Sequence, residues 1–375
     1  MKNVVAPDSF KGSMTAADAS DAIEKGIRTV LPESMIEKIP MADGGEGTVD
    51  ALVASTNGTM VETSAADPLG NPVKGRYGIL GDGVTAVIEM ASVSGLPLVP
   101  DDLRDPRNTT TYGTGDLIKE ALDAGCREFI IGIGGSATND CGTGMAQALG
   151  IAFYDEDGKE IKGYMRGGLL NAVTKIDASG LHPAVAGSRF TVACDVDNPL
   201  LGPNGCAHIY APQKGATPDI VEYLEEAMSQ FIEVAESATG RRVKNVPGAG
   251  AAGGLGAGLM AFLGAELKPG VDIVLDASRF AERIKGAELI ITGEGKLDRQ
   301  TAFGKTIAGV TSEAKKQNIP VLAFAGKVED DNALYEMGLK SFFTICDGPM
   351  PLDEAMDQGE ELLRRAVIRA IRLYG

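Results

Sequence analysis

Two histidines, His182 and His208, are all that 375 residues contain, so neither a His-based triad nor a His-rich metal centre is expected. Five cysteines, at 126, 141, 194, 206 and 346, form no C-x-x-C pair and leave one over. That spacing suits a reducing, cytoplasmic compartment and no zinc cluster. Cations are outnumbered: 35 lysines and arginines face 52 aspartates and glutamates, for a formal charge of -17. A field of that sign repels nucleic acid and anionic membranes, so neither is an expected partner. It also opposes an anionic substrate, and a site for one must gather its own cations or a metal. An uncharged stretch, Asn245 to Ala265, holds Pro247 and seven glycines, which reads as buried turn and helix rather than a membrane span. The opening residues read as an apolar strand, not as a leader peptide. A Walker A motif is missing: Gly304-Lys305-Thr306 has the right ending, but Arg299 stands where the first glycine belongs. Internal repeats, a low-complexity tail and a Ser/Gly linker are missing too.

The chain is long enough for two domains, and its 44% hydrophobic content describes a soluble globular protein. Its centre is Phe129-Ile-Ile-Gly-Ile-Gly-Gly-Ser-Ala-Thr-Asn-Asp-Cys-Gly-Thr-Gly-Met-Ala-Gln-Ala-Leu-Gly150. A buried strand runs there through a glycine and hydroxyl turn into a helix with Met145, Ala146 and Leu149 on one face. Such a turn gathers backbone N–H groups that favour an anion. Gly132, Gly134 and Ala137 also satisfy the dinucleotide spacing G-x-G-x-x-A. Ser136, Thr138, Asn139 and Asp140 add more polar side chains than a structural turn needs, which points to a ligand-facing loop.

From the N-terminus, Asn3–Ala6 reads as a strand, and Thr15 to Asp18 as a capping box opening a helix faced by Ala22, Ile23, Ile27 and Val30. A second strand, Ile36 to Pro40, ends in Met41-Ala-Asp43-Gly-Gly-Glu46 before another helix. Between Met60 and Val93, three short strands separated by turns are expected to pair antiparallel. A helix over 114–125 leads into the central strand, and Phe190 to Cys194 forms another that should hold Asp195 rigidly and partly desolvated. Thr217 and Pro218 open an amphipathic helix that ends at Gly240. The last third alternates strand and helix. Its loops are Gly293 to Asp298, Gly326-Lys327 and Asp347-Gly348, and a helix over 353–373 closes the chain.

Six strand ends carry acids: Asp8, Asp43 with Glu46, Asp140, Asp195 with Asp197, Glu294 with Asp298, and Asp347. Lys11, Lys214, Lys296, Arg299, Lys305 and Lys327 sit in similar loops. Carboxylates for Mg²⁺, lysines and amide nests are the parts that phosphoryl transfer requires, because it depends on positioning and charge neutralisation. Gly248 to Gly253 also has G-x-G-x-x-G spacing, but it follows Pro247 rather than a strand, so helix packing explains it better. Cys141 reads as a small residue in a helix N-turn.

Taken together, Ala6-Pro-Asp-Ser-Phe-Lys-Gly12, Ala42-Asp-Gly-Gly-Glu-Gly-Thr48, Gly134-Gly-Ser-Ala-Thr-Asn-Asp140, Asp195-Val-Asp-Asn-Pro-Leu200, Pro212-Gln-Lys-Gly-Ala-Thr217 and Gly293-Glu-Gly-Lys-Leu-Asp298 resemble the bacterial type-1 glycerate kinase family. The resemblance implies ATP-dependent phosphorylation of D-glycerate, at the 2-hydroxyl. It also implies an α/β fold, a Rossmann-like (flavodoxin-like) parallel-sheet domain plus a second α/β domain with a mixed sheet. Residues 1–60 and 285–375 are expected to form the first, and 61–284 the inserted second. Cys141 departs from the family, where glycine is usual, and the segment after Lys305 lacks an expected proline. With ATP and Mg²⁺ as cofactors, Asp195, Glu294 and Asp298 are the metal candidates. Ser9, Lys11, Asp43 and Glu46 are candidates for the hydroxy acid, and Gly134, Gly135, Ser136, Asn139 and Lys214 for phosphates. Asp195 is also a candidate for catalytic orientation. An NAD-dependent hydroxy-acid dehydrogenase and a non-catalytic two-domain binding protein remain as alternatives.

Overall fold

The computed structural model describes residues 1–302, 306–329 and 332–374. In chain order its strands are β1 (Lys2–Val5), β2 (Met35–Lys38), β3 (Thr59–Ala66), β4 (Pro72–Ile79), β5 (Thr85–Glu89), β6 (Glu128–Gly132), β7 (Ala152–Tyr154), β8 (Lys175–Asp177), β9 (Arg189–Ala193), β10 (Glu266–Lys268), β11 (Leu289–Leu297), β12 (Val321–Val328) and β13 (Ser341–Thr344). They fall in two compact units, Met1–Gly58 with Pro269–Gly375, and Thr59–Lys268. Residues 269–284, expected with the inserted domain, therefore group with the first unit. Among the described residues no helix is long and apolar enough to cross a membrane.

The first unit is a five-stranded sheet in the order β13-β12-β11-β1-β2, every neighbouring pair parallel. Counted within the unit this is 2-1-3-4-5, the flavodoxin-like order. The central strands read as near-continuous apolar runs because helices cover both faces, and Val4, Val5, Leu289, Ile290, Ile291, Ala323 and Phe324 are buried. At the edge, β2 is more polar and leaves Met35 exposed. Helix Ala16–Val30 opens as expected: Thr15 Oγ1 accepts the Asp18 N–H and Asp18 accepts the Thr15 N–H, both at 3.1 Å. Its Ile23 and Ile27 share one apolar cluster with Leu363 and Val367 of helix Gly359–Tyr374. Gly26 lets the two helices approach, since a Cβ there would lie 2.9 Å from Val367. The closing helix expected over 353–373 is two, Leu352–Asp357 and Gly359–Tyr374. The break falls at Gln358, and the second helix opens on Gly359, where a Cβ would meet the Ser13 hydroxyl at 2.3 Å.

The second unit is built on a six-stranded mixed sheet, β10-β9-β6-β5-β4-β3, with β7 and β8 pairing apart. As the turn-rich pattern predicts, β3–β4 and β4–β5 are antiparallel, while β5, β6, β9 and β10 are parallel. Phe129 and Phe190 face each other across β6 and β9 as a stacked pair, centroids 4.7 Å apart. Helix Pro218–Thr239 begins after Thr217 and ends at Gly240 in the left-handed region. Thr217 makes no side-chain cap bond, so Pro218, which has no N–H to satisfy, sets the start.

Candidate active site

In an open parallel sheet the carboxyl ends of the strands face the ligand, most of all where the strand order reverses. In the first unit that point lies between β1 and β11. Asp8 stands there, its N–H bonded to the Gly293 carbonyl at 2.8 Å. The side chain is 8% exposed. One carboxylate oxygen accepts the Ser9 N–H at 2.6 Å and the other the Thr306 hydroxyl at 2.5 Å. Burial dominates its acidity and pushes the pKa up to about 6; Thr306 and Ser9 pull down, Asp43 pushes up and Lys11 pulls down.

The residues selected for the hydroxy acid line the same edge. Lys11 is well exposed and lies 3.9 Å from Asp43. The Asp43 Oδ1 accepts the Gly45 N–H at 3.0 Å, which shapes the turn after β2. Ser9 is half-buried and Glu46 exposed.

Glu294 and Asp298 are drawn together by one hydroxyl. Thr301 Oγ1 donates to Glu294 Oε1 at 2.8 Å and accepts from the Asp298 N–H at 3.2 Å. Asp298 also pairs with Lys296 at 2.8 Å. The segment from Gly293 to Asp298 is not the expected loop, because β11 continues to Leu297 and pairs with β12 as far as Val328. This register sets Lys296 beside Lys327, and Glu329 offsets their repulsion at 3.1 and 3.0 Å. Asp347 is held by Arg365 at 2.7 Å and Arg369 at 2.5 Å, a structural clamp. Gly304 and Lys305 lie outside the described residues.

In the second unit β6 ends at Gly132 and the next helix starts at Thr143. The intervening loop is far longer than the tight turn of a dinucleotide fingerprint, so the G-x-G-x-x-A spacing is coincidental. Gly134 and Gly135 are exposed at its tip, and Gly135 has φ +75°. Beyond them the loop turns inward: Ser136 is 7% exposed, Thr138, Asn139 and Asp140 not at all. Asp140 consumes the N–H groups that an anion would otherwise use. Its Oδ2 accepts the Thr111 N–H and hydroxyl, both at 2.8 Å, and the Gly144 N–H at 3.2 Å; Oδ1 accepts the Gly142 N–H at 3.1 Å. Burial raises its pKa despite those bonds.

Lys214 is 2% exposed. Its Nζ donates to Ser136 Oγ at 2.8 Å and to the Thr138 carbonyl at 2.6 Å. Selected as a phosphate ligand, it is placed instead as an internal stake that holds the loop from below. Burial lowers its pKa to about 8. Thr138 Oγ1 and Asn139 Oδ1 beside it are buried without a partner among the described residues.

The glycine-rich segment packs against this loop. A Cβ on Gly253 would lie 1.8 Å from the Thr138 carbonyl oxygen, and one on Gly258 2.3 Å from that of Cys141. Cys141 itself has φ +51°, which explains why glycine suits the position. Its thiol is buried and pushed well up in pKa, so it stays protonated. Among the described residues the cysteines form no disulfide.

Asp195 was expected to be rigid and partly desolvated at the end of its strand. However, β9 stops at Ala193, and Asp195 lies two residues beyond it, exposed. Among the described residues no three His, Cys, Asp or Glu side chains are grouped as a metal cage. Hard carboxylate oxygens without thiol or imidazole still fit Mg²⁺, which takes one or two protein carboxylates and completes its shell with water and phosphate.

Asp8 was recognised in the sequence as one of six acidic strand ends but not selected. The signal that could have singled it out is position, because it follows the first strand of a flavodoxin-like order, next to the reversal.

The family described as Glycerate kinase family matches residues 3–375. The chain is 50% identical over 366 residues to a glycerate kinase of Bacillus subtilis (strain 168), covering 97% of this chain and 95% of that protein. It is 48% identical over 367 residues to a glycerate 2-kinase of Escherichia coli (strain K12), covering 98% and 96%. A crystal structure from Salmonella typhimurium LT2, assigned provisionally as glycerate kinase 2, superimposes with a TM-score of 0.92 at 43% identity, covering 100% of this chain and 98% of that one. These matches set aside the dehydrogenase and the non-catalytic binder: the chain belongs to the glycerate kinase family, and with it to the phosphotransferases.

Proposed function

We propose that this protein transfers the γ-phosphoryl group of ATP to the 2-hydroxyl of D-glycerate, with Mg²⁺, in the cytoplasm. The whole-chain match to glycerate kinases, one of them described as a glycerate 2-kinase, carries the reading. The chemistry at the first unit's sheet edge agrees with it. Lys11, exposed and only loosely paired, faces the carboxylate of the hydroxy acid, with Ser9, Asp43 and Glu46 holding its hydroxyls. Glu294 and Asp298 are the carboxylates proposed to hold Mg²⁺, which when bound offsets charge on the phosphate oxygens. Asp195 is proposed as a metal-binding or orienting carboxylate. Gly134, Gly135, Ser136, Asn139 and Lys214 are proposed for phosphates: the two glycines offer backbone amides, and Lys214 steadies the loop through Ser136 and the Thr138 carbonyl.

The test is direct. Purified protein with ATP, Mg²⁺ and D-glycerate should release ADP, and EDTA should stop it. Enolase added without a mutase should consume the product at once. A product that enolase accepts only after a mutase is added would move the transfer to the 3-hydroxyl. Turnover on a sugar or nucleoside but not on D-glycerate would sink the substrate.

A further inference from the structure

We infer that Asp8 is the catalytic carboxylate that orients the acceptor hydroxyl and takes its proton during phosphoryl transfer, with Thr306 as the residue that positions it. This rests on the kinase reading above. The hydroxyl oxygen bonds to the γ-phosphorus of the nucleoside triphosphate, the bond from that phosphorus to the β,γ-bridging oxygen breaks, and the hydroxyl proton passes to Asp8.

Three observations carry it. Asp8 lies in the loop three residues beyond β1, tied to β11 by its N–H bond to the Gly293 carbonyl, at the reversal of strand order where ligands of this sheet type bind. It is 8% exposed and makes no ion pair among the described residues. Ser9 N–H and the Thr306 hydroxyl fix one oxygen each, at 2.6 and 2.5 Å. Each oxygen keeps a second lone pair for a substrate proton. A surface turn aspartate is mostly exposed, so burial this deep sets Asp8 apart.

Among the described residues the groups facing it are few. Asp43, after β2, and Lys11, on its own loop, act on it in opposite directions, and burial outweighs both to hold the pKa at about 6. Glu294, on the adjacent strand, is engaged by Thr301. Helix Thr306–Lys316 contributes the Thr306 hydroxyl. A base with that acidity is ionised at neutral pH and still basic enough to accept a proton.

The experiment measures kcat and KM for D-glycerate, with saturating ATP and Mg²⁺, between about pH 5 and pH 8 for the full-length wild type, Asp8→Asn and Thr306→Val. Asp8→Asn should lower kcat about 10²- to 10⁴-fold while the KM for glycerate moves less than about threefold. The wild-type rate should rise with pH through about 6, the value burial gives Asp8, and the residual Asp8→Asn rate should lack that limb. The Thr306 bond favours the charged carboxylate, so Thr306→Val should move the limb to higher pH, an effect that lost packing alone would not produce. Should Asp8→Asn fail to fold, the Thr306→Val limb decides, and an unmoved limb overturns the inference. A folded Asp8→Asn keeping more than about a tenth of kcat, or keeping the wild-type limb, also overturns it. A wild type inert towards D-glycerate at every pH overturns the kinase reading first, and this inference with it.

Discussion

The carbonyl oxygen of Thr138 sits so close to Gly253 that a Cβ there would stand 1.8 Å away. Two backbones touch, and the touching segment is the one whose spacing imitates a nucleotide loop. Gly250 approaches the Pro199 carbonyl in the same way, at 2.2 Å from the built Cβ. Glycine here allows main chain to meet main chain, and the polar loop gains a rigid support.

Gly253→Ala tests this. The residue has φ +68°, which costs an alanine about 1–2 kcal/mol, and the collision involves backbone that cannot rotate away. The variant should lose at least about 3 kcal/mol, read as a lower urea midpoint. A midpoint equal to that of the wild type would mean that the segment relaxes freely, and the support argument would fail.

How much was legible follows from such contacts. The parallel strands were readable because burial on both faces forces apolar runs, and the capping box at Thr15 because its chemistry is local. The continuation of β11 through Gly293 to Leu297 was hidden. Glycines, Glu294 and Lys296 read as a loop, and the pairing with β12 that makes them a strand is non-local. Lys214 was visible as a lysine near the site, but its direction was not. A lysine aimed inward and one aimed at a phosphate share the same local sequence. The fate of Asp195 likewise turned on where β9 stops.

Lys214 gives a prediction with a defined sign. Burial lowers its pKa from 10.5 to about 8, so below pH 8 both folded and unfolded chains carry the charge and the folded one is penalised by about 3 kcal/mol. Between these two values the unfolded chain binds more protons, and stability from this group rises with pH. Comparing urea midpoints at pH 7.5 and 9.5, the wild type should gain about 2 kcal/mol from this residue, and Lys214→Met should lack that gain. An equal pH response in both proteins would show that the ammonium is better solvated than its surroundings indicate.

Asp8 should carry a cost as well. Its pKa is raised from 3.8 to about 6 by burial, so the folded chain holds that proton more tightly than the unfolded chain. The favourable protonated state is complete below about pH 3.8, and its benefit is lost as pH rises through 6. Above that, the buried charge costs up to about 3 kcal/mol. Asp8→Asn should therefore melt higher than the wild type at pH 7.5 and equally at pH 4, while its activity falls. Such an exchange of stability for function is expected of a buried catalytic charge. A variant that melts lower at pH 7.5 would identify Asp8 as a structural acceptor.

Lys11 tests the substrate side of the sheet edge. It lies 3.9 Å from Asp43 with 73% of its side chain exposed. An ion pair so open contributes at most about 1 kcal/mol, so removing it should leave the melting temperature unchanged. If its ammonium receives the hydroxy-acid carboxylate, the lost charge-assisted bond is worth roughly 1.5–3 kcal/mol, or about a 10- to 150-fold rise in the KM for glycerate. The contact is made in ground and transition states alike, so kcat should hold, and the KM for ATP should not move. Added salt should raise the wild-type KM for glycerate and do so less in Lys11→Met, because screening acts on the charge that the variant lacks. A fall in kcat at constant KM would instead put Lys11 on the transferring phosphoryl group, and the substrate carboxylate would need another cation.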